Sequence, residues 1–176
     1  MRKVQDNGRG ERRAIGSLKH KLWFWPVLVA GVAADQLTKI LAFAWLRRAE
    51  YRGLIPYVLG LRLSENQGAL FGIMQGKGAL LALFSAVAFG LIIWFLHRAP
   101  SKGKWLPVAL GLIAAGAIGN LIDRVFNDGK VRDFIELHIG EHFHWPTFNL
   151  ADAFIVAGVA MVIYAEFKKP KTTQAA

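Results

Sequence analysis

The 176-residue chain contains no cysteine. That absence excludes a disulfide framework, a thiolate nucleophile, a Cys-ligated zinc or iron–sulfur centre and lipid attachment through a thiol. Charge is also scarce, at 19% of residues against 54% apolar ones, while 18 Gly, 12 Phe and 6 Trp are present. A disordered, collagen-like or coiled-coil chain is therefore excluded. Acids are the scarcest charges, 12 against 22 Lys and Arg, which leaves a formal net charge of +10. Such an excess fits nucleic acid, an anionic membrane surface or an oriented membrane protein, and its placement along the chain discriminates among them. There is no internal repeat, low-complexity tract or Gly-rich nucleotide-binding motif. Ser64 and Ser85 have no nearby Lys or His in a frame for serine catalysis.

What is present is long apolar runs. A helix crossing the hydrocarbon layer needs about 20 mostly apolar residues, with ~17–25 as the usual range. Residues 22–46 are interrupted only by Asp35 and Lys39, residues 79–96 and 105–122 carry no charge, and residues 148–165 carry Asn149 and Asp152 near their start. A soluble bundle shows an apolar stripe with charge on the opposite face, whereas 79–96 is apolar all round. These runs predict an all-α membrane protein. Residues 1–176 form a single integral membrane domain of four transmembrane helices, 22–46, 79–96, 105–122 and 148–165, flanked by a basic tail at 1–21 and a second tail at 168–176. The basic leader and Val32-Ala33-Ala34 resemble a cleavable signal peptide, but the apolar pattern continues to Leu46. That is too long for a signal-peptide core, so the first helix is read as uncleaved.

The charges sort by segment. Residues 1–21, 97–104 and 166–176 hold 13 Lys and Arg against 3 acids, while 47–78 and 123–147 hold 8 against 7. The positive-inside rule then predicts both termini and the 99–104 connection in the cytoplasm and the two longer loops outside. The +10 is explained without nucleic acid. The outer loops contain β-like stretches at 57–63, interrupted by Gly60, and at 131–139, with a Gly-rich apolar turn over Asn66-Gln67-Gly68-Ala69-Leu70-Phe71-Gly72 between them.

Ionisable groups at membrane depth cost several kcal/mol unless paired, so each is a candidate for function. Asp35 and Lys39, four apart, share a helix face and suit an ion pair that holds the first span or supports a site. On the third span Gly111, Ala115 and Gly119 form a small-residue face for close packing, while Gly116, Asn120 and Arg124 form its neighbour and carry an amide and a guanidinium toward the outer mouth. Asp133 and Asp152 lie at the outer end, separated by one loop. If they meet, two carboxylates sharing a site cannot both ionise cheaply, and one keeps a proton near neutral pH. Such a pair suits water-dependent amide hydrolysis: the ionised member activates a water, and the protonated member serves the carbonyl oxygen and later the leaving nitrogen. The alternative is that Asp152 caps or neutralises its helix start and Asp133 is an ordinary loop acid; these residues alone leave both open. His138-Ile139-Gly140-Glu141-His142 matches the H-x-x-E-H pattern of inverted zinc peptidases, with His144 as a possible extra ligand. That motif needs a helix, and Gly140 and the β-like neighbours argue against one.

Five boxes in order among four spans resemble the bacterial lipoprotein signal peptidases (signal peptidase II): Asp35-Gln36-Leu37-Thr38-Lys39, Asn66-Gln67-Gly68-Ala69-Leu70-Phe71, Gly116 to Arg124, Val131-Arg132-Asp133-Phe134 and Phe148-Asn149-Leu150-Ala151-Asp152. The resemblance covers residues 22–167. Leu70 departs from it where a small residue is more usual, and the connection from Asp123 to Asp133 is a residue longer than the family pattern.

The resemblance implies an intramembrane aspartyl endopeptidase of the bacterial cytoplasmic (inner) membrane, with four transmembrane helices, a small extracytoplasmic β-cradle and an amphipathic surface helix. It implies a diacylglyceryl-modified prolipoprotein substrate, cut before the lipid-bearing cysteine, with the active site at the outer face. Asp133 and Asp152 become the catalytic pair. Asn66, Gly68, Asn120, Arg124 and Asn149 line the site and hold substrate backbone, and Asp35, Lys39 and Asp123 support it. It further implies membrane lipids as surroundings, no metal or other cofactor, no nucleic-acid partner and a monomer, with the His138, His142 and His144 cluster incidental. A rival from another class is a small proton-coupled carrier or channel component in which Asp35, Asp133 and Asp152 relay protons. A relay needs a carboxylate near mid-membrane, whereas Asp133 falls in an outer loop.

Overall fold

The computed structural model describes residues 21–47, 50–68, 74–98, 103–140 and 143–168. Four helices are long and apolar enough to cross a membrane: α1 (Phe24–Trp45), α2 (Gly78–Arg98), α3 (Trp105–Phe126) and α4 (Leu150–Phe167). Between them, a four-stranded antiparallel sheet in the order β1-β2-β3-β4 is built from β1 (Tyr51–Ile55), β2 (Leu59–Asn66), β3 (Val131–Ile139) and β4 (Phe143–His144). The helix-rich membrane fold with a small sheet is thus the observed architecture. The Ala69-Leu70-Phe71 end of the second box, Glu141 and His142, and most of both tails lie outside the described residues, and no amphipathic surface helix is assigned within them.

Each helix presents apolar side chains outward all round its free face, as Val29, Leu41, Leu83, Leu91, Val156 and Ile163 do. A lipid-facing surface requires this, because only segments that satisfy their own backbone groups can be solvated by hydrocarbon. Helix α3 is the exception, since it is the central helix and packs against the other three. Its small residues make that possible. The Gly111, Ala115 and Gly119 face lies against α1, where a methyl group on Gly119 would sit 2.5 Å from Asp35 Oδ2 and Ala115 meets Gly31. The Gly116 face lies against α4, and a methyl group there would run into the Ala151 carbonyl. Two neighbouring stripes on one helix therefore serve two different partners, and both bring polar groups along.

The sheet corrects one sequence expectation and adds a strand. Tyr57, placed inside a β-like stretch, instead sits in the β1–β2 turn with φ of 60°, and the strand runs from Leu59 to Asn66. Strand β1 was not foreseen, because all five of its residues are exposed and it carries no alternation of apolar and polar residues. Strand β3 occupies Val131–Ile139 and pairs Leu61 with Ile135 and Ser64 with Asp133. The extra residue in β2 between those pairs is a bulge, which bends the strand beside Asp133. Phe134 packs on Ala42 and Leu46, anchoring β3 to the C-terminal end of α1.

Candidate functional site

Four elements converge where the sheet meets one end of the helix bundle, at the C-terminal ends of α1 and α3 and the N-terminal end of α4. Helix α4 begins with a capping box: Asn149 Oδ1 accepts from the Asp152 amide at 3.1 Å, and Asp152 Oδ2 accepts from the Asn149 amide at 3.2 Å. Such reciprocal caps contribute about 1 kcal/mol and fix both side chains at the helix start. The cap residue is therefore Asn149, with Asp152 at the third helical position, not Asp152 as cap. A further orphan amide, that of Ala151, donates to Asp35 Oδ1 on α1 at 2.9 Å, so three polar side chains hold this helix end.

Asp152 keeps its other oxygen for the neighbouring helix, where Asn120 Nδ2 donates to Oδ1 at 2.8 Å. Asn149 Nδ2 donates to Asp133 Oδ1 at 2.6 Å and to Asn120 Oδ1 at 3.1 Å. Asn149 and Asn120 thereby tie Asp133 on β3 and Asp152 on α4 into one network. Asp133 is 1% exposed and Asn149 is fully buried. Burial pushes the Asp133 carboxyl from the ordinary 3.8 up to about 7, and the charge of Asp152 adds to the rise; hydrogen bonds from Asn149 and Asn66 and the charge of Lys39 only partly offset it.

Beneath this pair lies a buried charge cluster. Lys39 Nζ contacts Asp35 Oδ2 at 2.9 Å, Asp123 Oδ2 at 3.2 Å and Asn120 Oδ1 at 3.1 Å. Asp123 in turn accepts from Arg132, at 2.7 Å from Nη2 and 2.8 Å from the backbone amide. Gln36 bridges the set, donating to Asp35 and to the Gly119 carbonyl and accepting from Arg132. Two acids and two bases balance to zero, and that balance permits full burial of Lys39, Asp35 and Asp123. The Asp35–Lys39 pair is thus both a helix-internal ion pair and the base on which Asn120 rests.

A small cavity of about 60 Å³ opens between Asp133 and Asp152, lined by Asn66, Gly68, Asn120 and Arg124 as well. It is large enough to admit the water that a hydrolysis needs. A wider polar groove of about 620 Å³ continues from it past Ser64, Asn66, Gln75 and Thr147. Arg124 Nη2 donates to the Gly68 carbonyl at 3.3 Å and Nη1 to the Asn120 carbonyl at 3.4 Å, while its Nε is buried with no hydrogen-bond partner among the described residues. Asn66 Oδ1 accepts from the Gly68 amide at 2.9 Å and shapes the same wall. Nine of the ten candidate residues lie at the cavity or in the cluster beneath it, and the tenth, Asn149, is buried between Asp133 and Asn120 and holds both.

Sequence reasoning missed Gln36 and Arg132 as members of the cluster, although each adjoins a candidate acid in the chain. It also missed a separate meeting on the sheet, of Glu136 with His138 and His144. The H-x-x-E-H frame is not helical at its start: His138 is on β3, and it meets Glu136 and His144 instead.

Residues 27–168 match the family described as Signal peptidase (SPase) II. The chain is 34% identical over 161 residues to the lipoprotein signal peptidase of Vibrio parahaemolyticus serotype O3:K6, covering 87% of this chain and 92% of the relative. It is 39% identical over 150 residues to the lipoprotein signal peptidase of Chlorobium phaeovibrioides, covering 80% and 88%. A solved structure described as "Bacterial membrane enzyme structure by the in meso method at 2.3 A resolution" superposes with a TM-score of 0.78 at 30% identity, over 87% of this chain and 92% of that one. With the family matched along most of its length, the chain belongs to the signal peptidase II family.

Proposed function

We infer that this chain is a lipoprotein signal peptidase, a multi-pass bacterial membrane hydrolase that removes the signal peptide from prolipoproteins. The observation that carries the reading is the joining of Asp133 and Asp152 through Asn149 and Asn120 at one cavity, in a chain that matches the family over residues 27–168. The carrier or channel reading finds no support in the comparisons.

The finer reading is an intramembrane aspartyl mechanism. Asp133, with its carboxyl raised to about 7, holds the shared proton, and Asp152 is the ionised member. Asp152 takes a proton from the cavity water as the hydroxyl adds to the scissile carbonyl carbon, and Asp133 gives its proton to the carbonyl oxygen. In the collapse, Asp152 returns its proton to the leaving nitrogen and Asp133 recovers one from the tetrahedral diol, so the C–N bond breaks and the pair is restored. The free Nε–H of Arg124 and the Asn66 amide offer hydrogen bonds to the substrate backbone.

The substrate is a diacylglyceryl-modified precursor cut before the lipidated cysteine. Its acyl chains keep the scissile bond at the bilayer surface, where the outer ends of α3 and α4 and the sheet hold the two carboxylates. In the charge sorting, the basic tails and the connection between α2 and α3 lie in the cytoplasm and the sheet lies outside. The chain works as a monomer in the inner membrane.

The test is incubation of purified protein with diacylated and unmodified precursor. Signal peptide released only from the diacylated form, and lost in both Asp133→Asn and Asp152→Asn while each variant still inserts and folds, is the expected result. Substantial turnover by either variant removes the carboxylate pair from the mechanism.

A further inference from the structure

On the face of β3 opposite Asp133, strand alternation places Glu136 and His138 side by side, and the β3–β4 pairing sets His144 directly across from His138. One ligand atom from each of the three lies within 4.8 Å of the other two. His144 Nδ1 is 2.8 Å from Glu136 Oε1, and the two imidazoles meet edge to face at 5.3 Å. Glu136 and His138 are buried, at 2% and 7% exposure, whereas the His144 side chain is half-exposed and opens the cluster to solvent. None of the three takes part in the carboxylate network or in the charge cluster beneath it.

We propose that Glu136, His138 and His144 form a binding site for one divalent transition-metal ion of the zinc type, at the sheet and separate from the peptidase site. Two imidazoles and one carboxylate on a small, mostly buried patch are the nitrogen and oxygen donor set such ions prefer, with further positions left for water on the exposed side. An ion takes the place of the 2.8 Å contact between Glu136 Oε1 and His144 Nδ1. Tyr51 Oη contacts His138 Nε2 at 2.9 Å, the kind of second partner that fixes the orientation and tautomer of a ligating imidazole. The other oxygen, Oε2, is held at 3.0 Å by Arg62, so the carboxylate is already oriented, and the half-exposed Arg62 side chain has room to move into solvent when an ion arrives. The bound ion joins two-residue β4 to the long β3 and staples the end of the sheet. Its function is binding and bracing, and it takes no part in the hydrolysis.

The test uses untagged full-length protein in detergent, stripped with a chelator, desalted and titrated with Co²⁺ alone, with visible absorption as the readout and Zn²⁺ as competitor. The expected result is saturable binding of one ion per chain, displaced by Zn²⁺, with affinity lowered at least tenfold by His144→Ala and by Glu136→Gln and unchanged by His97→Ala. Zn²⁺ should also raise the melting temperature of the unaltered chain and of His97→Ala but not of the two site variants. Thermal unfolding of the variants without metal establishes that they are folded, which the exposure of His144 and the near-isosteric Gln favour. Absence of saturable binding to the unaltered chain, or binding retained in both site variants, overturns the proposal. Because the readout is binding, it is independent of any failure of the peptidase reading.

Discussion

Lys39 Nζ donates to Asn120 Oδ1 at 3.1 Å, and since an ammonium carries no acceptor, this contact decides which end of the Asn120 amide faces Asp152. The amide NH₂ is left to donate to Asp152 Oδ1, and the amide oxygen also receives Asn149 Nδ2, the same group that donates to Asp133. One buried ammonium thereby sets the orientation of two amides and, through them, of both carboxylates.

Replacing Lys39 by Met keeps the length and removes the charge. Asp35 and Asp123 then lose their shared cation, and Asn120 loses the contact that orients it. Breaking a buried pair by removing one partner costs ~3–5 kcal/mol, so thermal unfolding in detergent should shift strongly downward. In the folded fraction, kcat should fall by more than tenfold with little change in KM, because Lys39 acts through Asn120 and does not line the cavity.

The raised Asp133 carboxyl has a signed consequence for stability. Between the ordinary 3.8 and about 7 the folded chain holds a proton that the unfolded chain has released, so stability declines as pH rises through that window and levels off above it. The rise from 3.8 to about 7 bounds the effect at ~4 kcal/mol. Asp133→Asn removes the titration while its amide oxygen still accepts from Asn149. The variant should be inactive yet melt several degrees higher than the unaltered chain at about pH 8, with the difference vanishing near pH 4.

The same proton sets the pH dependence of turnover. The singly protonated pair is the active form, so kcat/KM for a diacylated precursor should fall on the alkaline side with an apparent pKa near 7 and fall again in acid once both carboxyls are protonated. A flat profile between about pH 6 and pH 9 would remove Asp133 as the proton holder.

Helix packing yields a paired test. A methyl group at Gly119 would lie 2.5 Å from Asp35 Oδ2, whereas one at Gly90 meets nothing within 4 Å. Gly119→Ala should destabilise by ~1–3 kcal/mol, as overpacking does, and reduce activity by displacing Asp35 from the Ala151 amide. Gly90→Ala should be neutral or stabilising by up to ~1 kcal/mol through helix propensity. Thermal melts of the two variants side by side measure the contrast.

Topology is open to reporter fusions. A reporter fused after Lys104 should register the cytoplasm and one inserted at Gly129 the outer side. The reverse pattern would overturn the assignment made from the charge asymmetry.

The helices and their partners were legible because the signals were strong and local. Uncharged runs at 79–96 and 105–122 have no other stable home, and the spacing of Gly111, Ala115 and Gly119 beside Gly116, Asn120 and Arg124 already separated the two faces of α3. The polar residues stood out because membrane depth makes each of them costly. What was not legible depended on pairing across distance. Strand β1 exists because Tyr51 and Arg52 pair with Arg62 and Leu61, not because of its own pattern. Arg132 and Gln36 join the cluster only when β3 returns to α1. The meeting of Glu136 with His144 needs the β3–β4 register, which no spacing in the chain announces. A capping role and a site role for Asp152 read as alternatives in the sequence, and the structure makes them compatible, because one oxygen closes the capping box while the other accepts from Asn120.

The four-residue spacing of Asp35 and Lys39 also bears on biogenesis. A lone lysine within a membrane span opposes insertion, by up to ~2.5–3.5 kcal/mol at the helix centre, and Lys39 of α1 precedes Asp123 and Arg132 in the order of synthesis. With Asp35 one turn away and 2.9 Å from the ammonium, the first segment carries its own counter-ion and can enter the membrane electrically neutral. When α3 arrives, its Asp123 finds a lysine already inside the bilayer, and the arginine at the start of β3 restores the balance. The buried cluster can thus be assembled in the order of translation without a step that leaves an isolated charge in hydrocarbon.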